Sequence, residues 1–146
     1  MENKIQVKYL RQYQHDLKPA KSGDAGIDIV ACRDVIINAL ETKLIGTYLK
    51  VEIPKGYYGR LVGRSSLHME GLHVNEGIID SGYRGEVKVS MTNLSIKPPF
   101  KEIKKGTRVA QLIIQKCEDV EFIPVGRLEN SERGNNGFGS TGRCAK

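Results

Sequence analysis

The sequence predicts an all-β protein on three observations. Apolar residues recur at every second position in several runs, turn-forming residues separate those runs at short intervals, and only one short segment reads as helix. A period of two places alternate side chains on opposite faces of a strand, so these runs describe sheets buried on one side.

Ile5, Val7 and Tyr9 alternate and predict an N-terminal strand. Ser22-Gly23-Asp24 marks a turn, and Asp28 then stands in a segment that is otherwise apolar around it. Ile45, Thr47, Leu49, Val51 and Ile53 form an alternating run closed by Pro54-Lys55-Gly56. Residues 65–71 predict the short helix, with Ser65 or Ser66 placed to cap its N-terminus and Gly71 to end it. After the turn signal Ser81-Gly82, Val87, Val89 and Met91 share one face of a strand while Lys88, Ser90 and Thr92 share the other. Pro98-Pro99 and Lys105-Gly106 mark two further turns, and Ala110, Leu112 and Ile114 form the last run. Gln111 lies on the face opposite to that run, where an amide without a partner costs about 1–3 kcal/mol; a backbone hydrogen bond or a ligand oxygen would satisfy it. This spacing of strands and turns is that of a β-sandwich or barrel. Residues 1–128 are expected to form a single β-domain, with 129–146 as a flexible, glycine-rich tail.

A chain of 146 residues with 39% hydrophobic and 27% charged residues suits one domain with a real core. No apolar run reaches the ~18 residues of a membrane span, and residues 1–10 are charged and alternating, unlike a signal peptide. A soluble, intracellular protein with no membrane association is expected. Cys32, Cys117 and Cys144 are odd in number and widely spaced, which fits a reducing compartment, and neither they nor His15, His68 and His73 have metal-ligand spacing. A net charge of +6 favours an anionic ligand. The lysines are dispersed, tryptophan is absent and no nucleic-acid-binding motif is present, so no nucleic acid partner is expected and a basic solvated surface accounts for the charge.

The stretch Arg133-Gly134-Asn135-Asn136-Gly137-Phe138-Gly139-Ser140-Thr141-Gly142 cannot build a core, but it has the groups a nucleotide would use. Glycine backbone approaches phosphate oxygens closely, arginine holds two of them at once, and a phenyl ring lies on a base. Four more segments stand out: Asp24-Ala25-Gly26-Ile27-Asp28, Gly63-Arg64-Ser65-Ser66-Leu67, the run from Gly77 through Asp80, Ser81, Gly82, Tyr83 and Arg84 to Gly85, and Arg108-Val109-Ala110-Gln111-Leu112. Together with the tail they resemble, in order, the five motifs of the trimeric dUTP diphosphatase (dUTPase) family, over nearly the whole chain. The resemblance implies a distorted jelly-roll (β-clip) subunit of a homotrimer with shared active sites, hydrolysing dUTP to dUMP and pyrophosphate with Mg²⁺. Such an enzyme keeps uracil out of DNA and supplies dUMP for thymidylate synthesis.

The residue roles follow from the resemblance and from chemistry. Arg64, Ser65 and Ser66 offer a cation, hydroxyls and backbone N–H groups in one place, and the resemblance sets them with Gln111 on the substrate phosphates. Gly77, Ile78 and Ile79 are expected to form a tight hairpin, and the main chain of Gly77 and Ile79 would read uracil, rejecting cytosine by leaving buried groups unpaired. Asp80 is the expected general base, activating a water aimed at the α-phosphorus. The resemblance packs Tyr83 under the deoxyribose, leaving no room for a 2′-hydroxyl, and it brings Lys88 to the nucleotide, where a solvated lysine is the other reading. Asp28 is implied to hold a water on Mg²⁺ rather than the ion itself, which suits a cation that keeps several waters and prefers substrate phosphates. In the tail, Phe138 is implied to cover uracil, Arg133 to hold the γ-phosphate, and Gly139 and Ser140 to line the phosphates as a lid on a neighbouring subunit's site.

Two departures are visible: Gly63 stands where many family members have proline, and Asn75 lies one residue later than a uracil-touching asparagine of bacterial members. A dCTP deaminase shares the expected fold but carries a glutamate where Ser90 stands, and it lacks the arginine–phenylalanine tail. A non-enzymatic β-domain is the other alternative, and the joint presence of Asp80, Tyr83, Arg133 and Phe138 argues against it.

Overall fold

The computed structural model describes residues 4–10 and 16–138. The described residues form eleven strands and one helix: β1 (Lys8–Tyr9), β2 (Ile27–Val30), β3 (Val35–Asn38), β4 (Thr42–Ile45), β5 (Val51–Glu52), β6 (Tyr57–Val62), α1 (Ser65–Met69), β7 (Leu72–Val74), β8 (Gly77–Ile79), β9 (Val89–Asn93), β10 (Phe100–Ile103) and β11 (Arg108–Lys116). The principal sheet runs β2-β11-β6-β8, a second runs β4-β9-β7, and β1-β5 and β10-β3 are two-stranded. Every recorded pairing is antiparallel. The inward faces meet in one core that includes Ile29, Ile37, Ile45, Leu49, Ile53, Leu72, Met91 and Leu112.

The expected alternation is realised as burial more fully than as strand. Ile45, Thr47, Leu49, Val51 and Ile53 all point inward, yet regular pairing stops between β4 and β5. Tyr48 adopts φ 60°, a left-handed conformation costing a non-glycine residue about 1–2 kcal/mol. The carboxylate of Glu86 compensates, accepting the Thr47 and Tyr48 N–H groups at 2.9 Å each, and the Thr47 hydroxyl donates to the Val87 carbonyl at 2.5 Å. In β11 a register shift against β2 between Arg108 and Ala110 turns Val109 inward beside Ala110. Such a bulge explains why two successive residues are buried in a strand that otherwise alternates.

Two elements differ from expectation. The N-terminal run is strand only at Lys8–Tyr9; Ile5 and Tyr9 are exposed and Val7 packs on the core, because pairing with β5 spans just Glu52 and Val51. In α1, Arg64 is the N-cap (φ −96°, ψ 137°) and no side chain caps the helix. The Arg64 carbonyl already accepts the Leu67 and His68 N–H groups, so Ser65 and Ser66 lie within the first turn rather than before it. Gly71, at φ 81°, ends the helix by donating to the His68 carbonyl at 3.0 Å.

Candidate active site

β8 sits at the edge of the principal sheet. Leu61 pairs with Gly77 and Gly59 with Ile79, which leaves the far side of the β8 backbone outside the sheet ladder. Gly77-Ile78-Ile79 is therefore an edge strand and not the tight hairpin expected, because β7 pairs with β9 in the other sheet instead of turning back onto β8. A free strand edge presents fixed donors and acceptors in the plane of the sheet, suited to a planar ligand edge. Directly after it the chain turns, with the Tyr83 N–H donating to the Asp80 carbonyl at 3.0 Å and the Arg84 guanidinium to the carbonyls of Ser81 and Tyr83 at 2.7 and 2.9 Å.

This turn borders a cavity of about 320 Å³ lined by Leu61, Gly77, Ile78, Ile79, Asp80, Tyr83, Glu86, Val87 and Lys88. Five of the predicted residues, Gly77, Ile79, Asp80, Tyr83 and Lys88, thus converge on one concave surface. Asp80 is exposed at its rim. The Tyr83 hydroxyl donates to the Glu86 carbonyl at 2.9 Å, fixing the ring. Gly85 makes that position possible, since a Cβ there would overlap the Tyr83 hydroxyl and stand 2.5 Å from its Cζ. Lys88 approaches Glu86 at 4.0 Å and is otherwise solvated. Asn75 is committed within the protein, donating to the hydroxyls of Ser90 and Thr92 at 2.9 and 3.2 Å. A larger cavity of about 490 Å³, lined by Lys8, Tyr9, Leu10, Lys50, Val51, Glu52 and Arg84, holds none of the predicted site residues.

The phosphate-binding candidates gather separately. Asp28 on β2 lies between two guanidinium groups, with Arg64 Nε 3.2 Å from Oδ1 and Arg108 Nε 3.4 Å from Oδ2. Arg64 also donates to the Arg108 carbonyl at 3.5 Å. Gln111 stands opposite Asp28 on one side and Val62 on the other, and its side chain lies over Gly26, where an added Cβ would come within 3.0 Å of Gln111 Cβ. Ser65 and Ser66 are exposed beside this cluster. None of these residues lines the Asp80 cavity, and β2 is three strand spacings from β8, about 14 Å.

Asp28 also answers whether a hydrated cation suits the cluster. Its side chain is 17% exposed, and Oδ1 is buried without a hydrogen bond, the Arg64 contact being an ion pair whose N–H is not aimed at it. A buried carboxylate oxygen with unused acceptor capacity fits a water carried by Mg²⁺. Among the described residues no group of three or more His, Cys, Asp or Glu side chains could hold a metal ion.

The tail candidates lie apart from both clusters. Regular strand ends at Lys116, and Arg133 bonds the Asn136 carbonyl at 3.0 Å within its own turn while Phe138 is fully exposed. Gly139 and Ser140 lie outside the described residues. Sequence reasoning assigned no role to Gly26, Gly85, Glu86 or Arg108. Gly85, two residues beyond Tyr83, and Gly26, two before Asp28, carried the available signal, a glycine beside a bulky or charged functional group. Nothing local marked Glu86, whose partners are 38 and 39 residues away.

The fold is all-β, with a cavity of about 320 Å³ at a sheet edge and a separate Asp28–Arg64–Arg108 charge cluster, and comparison with known proteins identifies its class. The dUTPase family model matches residues 12–142, and the chain belongs to the dUTPase family. The deoxyuridine 5′-triphosphate nucleotidohydrolase of Candida glabrata is 42% identical over 134 residues, covering 89% of this chain and 92% of the relative. A mutant dUTPase of Staphylococcus bacteriophage 80alpha with dUpNHpp superposes with a TM-score of 0.86 at 30% identity, covering 97% of this chain and 99% of that one. A mutant dUTPase of S. aureus phage phi11, described for its coordination of a structural Mg(II) ion, matches with a TM-score of 0.77 at 26% identity, covering 88% of this chain and 100% of that one. No helix among the described residues is long and apolar enough to cross a membrane.

Proposed function

We propose that this protein is a dUTP diphosphatase that hydrolyses dUTP to dUMP and pyrophosphate. The observation that carries the reading is the cavity at the β8 edge, where Gly77, Ile79, Asp80, Tyr83 and Lys88 meet. Uracil would pair with the backbone of Gly77 and Ile79, and the deoxyribose would stack on the Tyr83 ring, whose hydroxyl is already tied to Glu86. Asp80 at the rim would accept a proton from a water as that water's oxygen bonds to the α-phosphorus and the bond to the bridging oxygen of the β-phosphate breaks. Pyrophosphate then leaves with the negative charge that Arg64, Gln111 and the tail's Arg133 would stabilise, with Ser65 and Ser66 binding phosphate oxygens. Asp28 would orient a water belonging to Mg²⁺. When bound to the triphosphate, Mg²⁺ supplies charge neutralisation to the leaving group.

The separation of the Asp80 cavity from the Asp28, Arg64 and Gln111 cluster supports a homotrimer in which one subunit contributes the nucleoside cavity and another the phosphate cluster. The third element, residues 129–146, would act as the lid, with Phe138 over uracil and Gly139 and Ser140 about the phosphates. The exposure of Phe138, which does not line the Asp80 cavity of its own chain, fits this assignment.

Pyrophosphate release from dUTP, dCTP, dTTP and UTP, measured side by side with Mg²⁺, tests the reading. Turnover confined to dUTP is expected. Preferential turnover of dCTP, or ammonia release in place of pyrophosphate, would reject it.

A further inference from the structure

Gly63 joins β6 to the turn of Arg64, Ser65 and Ser66, and the imidazole of His68 lies against it. A Cβ added at position 63 would overlap His68 Nε2 and stand 2.6 Å from Cε1, so no side chain fits there while the ring keeps its place. The face of the same ring stacks on His73 of β7, with centroids 4.4 Å apart and planes inclined by 9°. The His68 main-chain N–H donates to the Arg64 carbonyl at 3.1 Å, which ties the backbone that carries the ring to that of Arg64. Leu67, the buried residue of α1, anchors this short helix to the core.

We infer that His68 is a positioning residue for the phosphate-binding turn. Its ring occupies the volume a side chain at position 63 would fill and bridges β6 to β7. Glycine alone leaves the backbone ahead of Arg64 free to rotate, and a five-residue helix is too short to hold that turn by its own hydrogen bonds. The stacked pair of imidazoles supplies the missing constraint by packing. Arg64 must keep its place relative to both Asp28 and a bound phosphate, so loosening this turn should weaken substrate binding more than it slows the chemical step at Asp80. The inference rests on the assignment of Arg64, Ser65 and Ser66 to the phosphates.

A five-enzyme comparison tests it: the unaltered chain, His68→Ala, Gly63→Ala, the double variant and His68→Phe, each with kcat and KM for dUTP and with thermal unfolding. His68→Ala is expected to raise KM by about 3–10-fold with kcat little changed, and Gly63→Ala, which pushes the ring off its seat, to do the same. In the double variant the new methyl group enters the vacated space, so the rise in KM should be at least threefold smaller than the product of the single effects. His68→Phe, which keeps a flat ring against His73, should hold KM near the original. A His68→Ala enzyme that unfolds earlier but keeps its KM overturns the proposal, as does a double variant equal to the product of the singles. Loss of binding in His68→Phe overturns it too, because the imidazole would then act by its own contact with phosphate. If the unaltered chain does not turn over dUTP, the proposed activity fails by itself. Calorimetric binding of inorganic tripolyphosphate to the same variants then reads the turn directly, with the same pattern expected and the same outcomes decisive.

Discussion

Asp80 follows a strand edge and precedes a turn closed by its own carbonyl, so its carboxylate is placed by backbone on both sides. Asp80→Asn keeps the size and most of the polarity of the side chain but cannot take a proton. It should fold normally, retain affinity for a non-hydrolysable dUTP analogue and lose about 10²–10⁴-fold in kcat. Single-turnover kinetics would check this, and a near-normal kcat would assign the base to another group. Tyr83 is held on two sides, by the Glu86 carbonyl and by the absence of a Cβ at Gly85. Tyr83→Ala should open space beside the sugar and raise kcat/KM for UTP relative to dUTP, and Gly85→Ala should move the ratio the same way by displacing the ring. An unchanged ratio in both would leave Tyr83 as a sheet residue with no part in sugar selection.

Among the elements, the segment between β4 and β5 depends on one carboxylate. Burial opposes ionisation of Glu86, but the N–H groups of Tyr48 and Thr47, followed by the charges of Lys88 and Arg33, outweigh it and hold its carboxyl below the ordinary 4.5. A depressed folded-state value means the group stabilises the protein above its unfolded-state value and that this contribution is lost as pH falls through the folded-state one. Thermal unfolding followed downward from neutrality should therefore show a decline below pH ~4.5 that Glu86→Gln reduces. Equal acid sensitivity in the variant would place the dependence on other carboxylates. The same segment reaches the site, because the Glu86 carbonyl holds Tyr83 while its carboxylate holds Tyr48.

At the scale of the whole molecule, the Asp80 cavity and the Asp28–Arg64 cluster lie apart in one chain, and neither Arg133 nor Phe138 lines that cavity. A shared site predicts complementation between two inactive chains, Asp80→Asn with an intact tail and a chain ending at Asn130 with Asp80 intact. Unfolded and refolded together in equal amounts, they should regain roughly a quarter of full activity, since random assembly sets a good tail over a good Asp80 in one site of four. A tail that serves its own chain predicts no recovery, because every site then carries one defect.

The sequence by itself determined the fold class and most of the inward-facing residues, and it named the candidates for the site, because strand burial follows a period of two and the motif residues are contiguous in the chain. Ile45, Leu49, Val51 and Ile53 were legible as core even across a break in the strand. The tertiary structure decided what depends on partners distant in sequence: that β8 pairs with β6 and leaves an edge free, that Asp28, Arg64 and Arg108 from three segments form one charge cluster, and that Glu86 supports Tyr48 from across the fold. It also decided the meaning of the glycines. Gly63 and Gly85 stand in the sequence only as members of motif segments, but in the fold each is the space into which a neighbouring ring is packed, and only three-dimensional proximity shows which ring that is.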